Sequence, residues 1–228
     1  ILICTQLLLS FIWRRFLPNS LPKIYSFLVF LIILQGTLGA LTVINMLSSI
    51  TVMSHLLIAL ILLITAIYVN QKLVNKKLEE SLIWWRFLIS IPLLFTLMQS
   101  VIGVRLSSTW SAHLCLSLNQ NCVVLNSHKL FAAPVVMSIL AILIVSLFKF
   151  YLFKNNWKFL LSLFLLSLIQ IMLGILSLKT NLNEPLLIVS HQIVASLLIS
   201  TLATLMFKNF EENVSFNSNN NVILSFNS

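Results

Sequence analysis

The sequence predicts an all-α, polytopic transmembrane helical bundle, and three observations carry that prediction. Hydrophobic residues make up 59% of the 228-residue chain and charged residues 8%, with a mean hydropathy of +1.04. Soluble domains carry roughly 25% charged residues. The apolar residues lie in runs of about 20, the length of a membrane-spanning helix. Because backbone amides in lipid must be satisfied within their own segment, such runs fold as helices.

Six runs are long enough to cross a membrane, and a seventh is partial. The six full helices are predicted at residues 22–45, 50–70, 82–106, 125–149, 157–178 and 184–208. Residues 1–13 are also apolar. A helix of that length covers only about 20 Å of a lipid core of about 30 Å. We therefore interpret it as the end of a helix that begins upstream. The Asn- and Ser-rich segment 211–228 is predicted to be a disordered tail.

The basic residues predict an orientation. Eleven of the fourteen Lys and Arg fall at 14–23, 71–86, 149–158 and near 208. Since Lys and Arg mark cytoplasmic loops, these segments are expected in the cytoplasm and the histidines toward the extracytoplasmic side. A bacterial plasma membrane and a mitochondrial inner membrane both fit this pattern. The net charge of +9 is then a topology signal, and no basic stripe points to nucleic acid.

Two phrases recur three times along the chain. Ser-His-x-x-x-Ala contains His55, His128 and His191, and each copy follows a Gln-x-x-x-Gly phrase by 20, 29 or 21 residues; the Gln-x-x-x-Gly phrases are Gln35/Gly39, Gln99/Gly103 and Gln170/Gly174. Such periodicity predicts an architectural repeat, here a helical hairpin. The small residues are expected to leave notches beside the polar side chains for a large flat ligand. The serine before each histidine is expected to cap its helix, with orientation of the imidazole through its second nitrogen as the alternative.

The repeated imidazoles are predicted to be axial ligands of haem iron, one from each of two hairpins. Packing by polar and small residues in lipid is the alternative, as is a transporter without a cofactor. His128 and His191 make a complete pair, whereas His55 lacks a partner. We therefore expect a further histidine three to seven residues before Ile1 and a whole helix before it. That arrangement gives eight helices in two four-helix halves, with residues 1–80 in the first and 81–210 in the second.

Four segments and His191 resemble helices three to eight of the haem A synthase family. The segments are residues 34–43, 99–105, 128–132 and 170–174. The resemblance extends to about residue 208. It implies a membrane oxidoreductase that converts the C8 methyl of haem O to the formyl group of haem A for terminal oxidases. It also implies two pseudo-symmetric halves, with a haem b held by His128 and His191 in the C-terminal half. In the N-terminal half, a catalytic His55 would face the iron of the substrate haem.

Further roles follow from the same resemblance. Arg105 and Lys129 lie where haem propionates could be paired, with snorkelling to headgroups as the alternative. Gln99 and Gln170 are expected to contact the porphyrin, or else only to pack. Cys115 and Cys122 are expected to form a structural disulfide in an oxidising compartment, although a redox relay is also open. His113, outside the repeat, is expected to be solvated.

The catalytic acid expected for the family lies in a region that this sequence lacks. Glu184 precedes Pro185 and is read as a helix cap, so the fragment alone is expected to be inactive. Expected partners are haem O and haem A, haem O synthase, cytochrome oxidase assembly factors and lipid, with a homo-oligomer left open. The alternative function is a di-haem cytochrome b-type electron carrier. Such carriers usually place their histidines at two depths, whereas this sequence places them at one.

Overall fold

The fold is a bundle of long α-helices. The computed structural model describes residues 21–74, 83–107 and 122–208, together with Thr5, Leu8, Leu9, Phe11 and Ile12, and all regular structure among these residues is helical. We number the helices α1 (Leu21–Ile44), α2 (Ser49–Val74), α3 (Ile83–Ser107), α4 (Val123–Phe148), α5 (Phe150–Lys179) and α6 (Pro185–Phe207). Each is long and apolar enough to cross a membrane. The predicted fold class is confirmed, and the predicted tail lies outside the described residues.

The predicted helix ends agree with the structure to within about one turn, except at the start of α5. That helix begins at Phe150, and Lys149 alone separates it from α4. The expectation of a basic loop over residues 149–158 is therefore wrong. Leu152 is fully buried, whereas Lys154 is exposed. The basic residues thus lie on the exposed face of α5, which extends beyond its apolar span. They do not mark the end of a membrane-spanning helix.

The six helices form three hairpins, of which two close into a ring. The hairpin pairs are α1–α2, α3–α4 and α5–α6; in addition α3 packs against α6, and α4 against α5. Helices α3 to α6 therefore surround a common centre, with α4 and α6 on one diagonal. Helix α2 packs on the outside of this ring, against α6 and α3. The ring falls within the predicted C-terminal half, while the boundary predicted at residue 80 lies outside the described residues.

The hydrophobic core lies at one end of the ring. Its most deeply buried side chains come from the start of α3 and α5 and the end of α4 and α6, and they include Trp85, Ile89, Ile142, Leu160, Leu163 and Leu202. His128 and His191 occupy the other end of α4 and α6. Close packing at one end therefore leaves the other end free to enclose a ligand.

The turns of two hairpins have the same geometry. In α1–α2 and in α5–α6, two consecutive residues adopt positive φ values between 49° and 58°, namely Met46, Leu47, Asn181 and Leu182. The amides of Leu47 and Leu182 donate hydrogen bonds of 2.8 and 2.9 Å to the carbonyl five residues earlier. This bond is typical of a helix that ends in a left-handed turn. The two hairpins are thus structural repeats at the level of their turns.

Candidate functional site

The three repeated histidines lie at the same end of the bundle. His55, His128 and His191 occupy the first two turns of α2, α4 and α6. Each contacts a glutamine in the second half of the preceding helix, so each hairpin is antiparallel. The rings of Tyr68 and Phe207, near the ends of α2 and α6, stand 5.0 Å apart, so these two helices run in the same direction.

Each imidazole lies against a glycine of the neighbouring helix. A methyl carbon added at Gly39, Gly103 or Gly174 would stand 3.3, 3.0 or 3.2 Å from Cε1 of the paired histidine. The register of the two helices places each ring at the glycine of its partner, so the imidazoles occupy part of the space beside these glycines. Gly103 and Gly174 also line the cavity described below, and the role of the small residues beside a flat ligand stays a prediction.

The repeated glutamines make two different contacts. Nε2 of Gln35 lies 3.1 Å from Nε2 of His55, and Nε2 of Gln170 lies 3.1 Å from Nε2 of His191. Gln99 instead donates to the backbone carbonyl of His128, at 2.7 Å. An amide nitrogen only donates, so the imidazole nitrogen that it contacts must accept, and the ring proton lies on Nδ1. Nδ1 of all three rings is buried and has no hydrogen-bond partner in the described part of the chain.

His128 and His191 line one cavity inside the ring of helices. The cavity has a volume of about 320 Å³ and mostly apolar walls, and small side chains widen it at Gly103, Ala132, Gly174 and Ala195. Ligand pockets typically measure about 300–1,000 Å³. Because α4 and α6 lie on a diagonal, the two imidazoles reach the cavity from opposite helices. Gln99, Gln170 and Lys129 line it too.

Two predicted site residues lie elsewhere. His55 contacts Gln35 and Gly39 between α1 and α2 and does not line the cavity. Arg105 is exposed in the last turn of α3 and is not part of the cavity lining either. Its role in pairing a propionate stays a prediction.

The residues predicted in the long loop are only partly described. Cys115 and His113 lie outside the described residues, so the disulfide stays a prediction. Cys122 is the N-cap of α4, and its sulfur accepts a hydrogen bond from the Leu125 amide. Glu184 occupies the N-cap of α6 before Pro185, as predicted, but its side chain makes no capping hydrogen bond.

The expectation that the serines cap their helices is wrong. Ser54, Ser127 and Ser190 lie inside α2, α4 and α6, which begin four or more residues earlier. The Ser127 hydroxyl donates to the Val124 carbonyl, at 2.9 Å. Because these helices begin at Ser49, Val123 and Pro185, the serines stand in the second turn, beyond the first amides that a cap would satisfy.

Sequence reasoning missed one polar residue of the cavity. Gln192 lines it, and its buried Nε2 has no hydrogen-bond partner among the described residues. The available signal was its position, because Gln192 follows His191 as Lys129 follows His128. Gln192 and Lys129 thus add an amide and an ammonium donor to the cavity beside its two imidazoles.

This donor set fits a haem better than a bare metal ion. Within the described residues, no group of three or more His, Cys, Asp or Glu side chains could hold a metal ion. A haem iron takes its four equatorial ligands from the porphyrin and needs at most two from the protein. The cavity provides two such ligands, the imidazoles on opposite helices. Its apolar walls and the Gln192 Nε2 group, which has no partner among the described residues, also suit a porphyrin.

Comparison with known proteins places the chain in a family. The family model COX15-CtaA, described as cytochrome oxidase assembly protein, matches residues 1–203. The chain belongs to this family. Membership in the cytochrome oxidase assembly family confirms the resemblance predicted from the repeated phrases, and at the family level it implies a role in haem A biosynthesis. The match includes every repeated Gln and His of this family member. No curated protein and no solved structure gave a significant match.

Proposed function

We propose that this protein is a haem A synthase, which oxidises the C8 methyl of haem O to the formyl group of haem A for terminal oxidases. The observation that carries the proposal is the placement of His128 and His191 on opposite helices around one apolar cavity. The family supplies the setting of cytochrome oxidase assembly. It does not favour the alternative of a di-haem electron carrier.

The residues of the cavity would contact different parts of a bound haem. His128 and His191 would hold a haem b through its iron, and when bound such a haem supplies one-electron redox chemistry. The apolar walls exclude water from the centre of the ring. Lys129 in the cavity and Arg105 at the end of α3 would pair with propionates, while Gln99, Gln170 and Gln192 offer neutral donors.

His55 is proposed to face the iron of the substrate haem. It lies outside the cavity, so substrate and haem b would occupy different positions. Its imidazole is oriented by the Gln35 amide and by contact with Gly39. Glu184 is the one carboxylate in the part of the chain that the structure describes, and it is exposed at a helix start. We therefore assign the catalytic acid to no described residue.

The proposed setting is an energy-transducing membrane with the histidines on the extracytoplasmic side. The distribution of Lys and Arg supports that orientation. In that compartment Cys115 and Cys122 would form a disulfide beside the start of α4. Haem O synthase would deliver the substrate, and cytochrome oxidase assembly factors would receive the product.

The test combines a spectrum with a conversion assay on the full-length protein. We expect the purified protein to show the sharp low-spin absorption bands of a bis-imidazole haem, and to convert supplied haem O to haem A. His128→Ala and His191→Ala should each lose the low-spin bands. His55→Ala is the matched control, since it should keep them and lose only the conversion. Retention of the low-spin bands in both cavity variants would refute the ligand assignment.

A further inference from the structure

We propose that Gln170 is a positioning residue that holds Nε2 of His191 until this atom binds iron, whereas no residue that the structure describes holds Nε2 of His128 in this way. We call the Gln170–His191 hydrogen bond the latch. The inference rests on the proposed function, because it assumes that the two imidazoles are haem ligands. It adds an order of binding, in which His128 coordinates first and His191 second.

The two sides of the cavity differ in one hydrogen bond. Gln170 Nε2 lies 3.1 Å from Nε2 of His191, the nitrogen that points away from the backbone. Gln99 holds the equivalent position beside His128 but donates to its backbone carbonyl, at 2.7 Å. Nε2 of His128 has no hydrogen-bond partner among the residues that the structure describes. The glycine contacts of the two rings are otherwise alike, at 3.0 and 3.2 Å.

The latch selects the tautomer that coordination requires. Because the Gln170 amide donates, His191 Nε2 carries a lone pair and Nδ1 carries the proton. When the amide turns away, one N–H···N hydrogen bond breaks and one nitrogen–iron bond forms at the same atom. No proton moves and no electron is exchanged, since Nε2 is unprotonated before and after. The latch therefore keeps His191 in the tautomer that can bind iron, and it also slows the formation of the bond between Nε2 and iron.

The same contact recurs in the first hairpin. Gln35 Nε2 lies 3.1 Å from Nε2 of His55. Two of the three repeated imidazoles thus have such a latch, and His128 has none among the described residues. An incoming haem in the cavity would meet one available nitrogen and one occupied nitrogen.

The test follows binding of ferric protohaem to the haem-free, full-length protein in detergent by rapid-mixing absorption spectroscopy. We expect a fast step that gives a five-coordinate, high-spin spectrum and a slower step that gives the low-spin spectrum. Gln170→Leu should accelerate the slower step by about three- to tenfold, the effect of one hydrogen bond in a membrane protein. Gln99→Leu is the matched control, because this change removes the equivalent amide without touching a ring nitrogen.

The outcomes separate the latch from the proposed function. If the unmodified protein forms no low-spin haem, the ligand assignment and the latch both fail. If low-spin haem forms but Gln170→Leu leaves the slower rate unchanged, or Gln99→Leu accelerates it equally, the latch alone is refuted. A full amplitude of the fast step shows that a variant is folded around His128. Gln170→Ala provides a second variant should the leucine perturb the bundle.

Discussion

At the scale of single residues, the site is built from a glycine and an imidazole on adjacent helices. The contact recurs three times at nearly the same distance, at Gly39, Gly103 and Gly174. A hydrogen atom at these positions lets the ring approach the neighbouring helix, so any larger side chain must displace it. Gly36 offers a contrast within the same sequence phrase, because an added methyl carbon there would meet nothing within 4 Å.

Gly103→Ala should therefore destabilise the protein and reduce its low-spin haem. The new methyl group would stand 3.0 Å from Cε1 of His128. Overpacking lowers the free energy of unfolding by about 1–3 kcal/mol, and the higher helix propensity of alanine raises it by about 1 kcal/mol. Thermal unfolding in detergent and the Soret band measure the two effects. Gly36→Ala is the control and should stabilise by about 0.5–1 kcal/mol; equal loss in both variants would contradict the steric argument.

The residue types of the site could be predicted from sequence, but their contacts could not. Three copies of Gln, Gly and His in fixed order marked the hairpins and the candidate ligands. Which atom each glutamine contacts depends on the register and rotation of two helices, and the sequence does not state either. For that reason Gln99 differs from Gln170 in the structure while their sequence contexts look alike.

At the scale of helices and turns, the two matching hairpin turns place non-glycine residues in the left-handed region. Met46 has φ of 49° and Asn181 has φ of 52°. This conformation costs an ordinary residue roughly 1–2 kcal/mol, while asparagine tolerates it. Met46 is 91% exposed, so it has little packing to lose.

Met46→Gly should consequently stabilise the protein by about 1 kcal/mol, measured as a rise in unfolding temperature in detergent. Asn181→Gly provides the comparison at the equivalent position of the other turn. Its gain should be smaller, because asparagine already accepts positive φ. A larger gain at Asn181 than at Met46 would contradict the assigned turn geometry.

The helix ends away from the histidines are joined by a lysine. Nζ of Lys208 donates to the Asn155 carbonyl at 2.7 Å and to Oδ1 of the buried Asn156 at 3.2 Å. This contact ties the end of α6 to the beginning of α5. It also explains in part why α5 starts earlier than its apolar run predicts, since the first turns have a partner outside the lipid core.

Lys208→Met should weaken this junction by about 1 kcal/mol, because a buried amide oxygen loses a charged donor. Lys154→Met is a matched control: it removes the same charge from an exposed position of α5. Hydrogen exchange of the first turns of α5 reports the effect locally. Similar exchange in the two variants would mean that the Lys208 contacts contribute nothing to the stability of this end.

At the scale of the whole molecule, the packed core and the cavity occupy opposite ends of one bundle. Composition and apolar run length sufficed to predict the six spans and the fold class. The pairing of α3 with α6, which closes the ring, joins segments far apart in sequence and left no pattern to read. The distribution of Lys and Arg further predicts which end faces the cytoplasm.

Labelling of single cysteines tests that orientation in intact cells or organelles. In a background without Cys4, Cys115 and Cys122, Met46→Cys at the histidine end should react with a membrane-impermeant maleimide added outside. Lys154→Cys at the other end should react only after permeabilisation. Both positions are exposed, so accessibility reports sidedness and not burial. The reverse pattern would overturn the proposed placement of the haem sites.

Because Lys149 alone connects α4 and α5, the connection cannot absorb a change in chain length. One residue added to a helix turns everything beyond it by about 100°, because a turn contains 3.6 residues. An insertion next to Lys149 would have to be absorbed in a connection of one residue, or it would rotate Gln170 and Gly174 away from His191. The α4–α5 corner should therefore tolerate substitution far better than insertion.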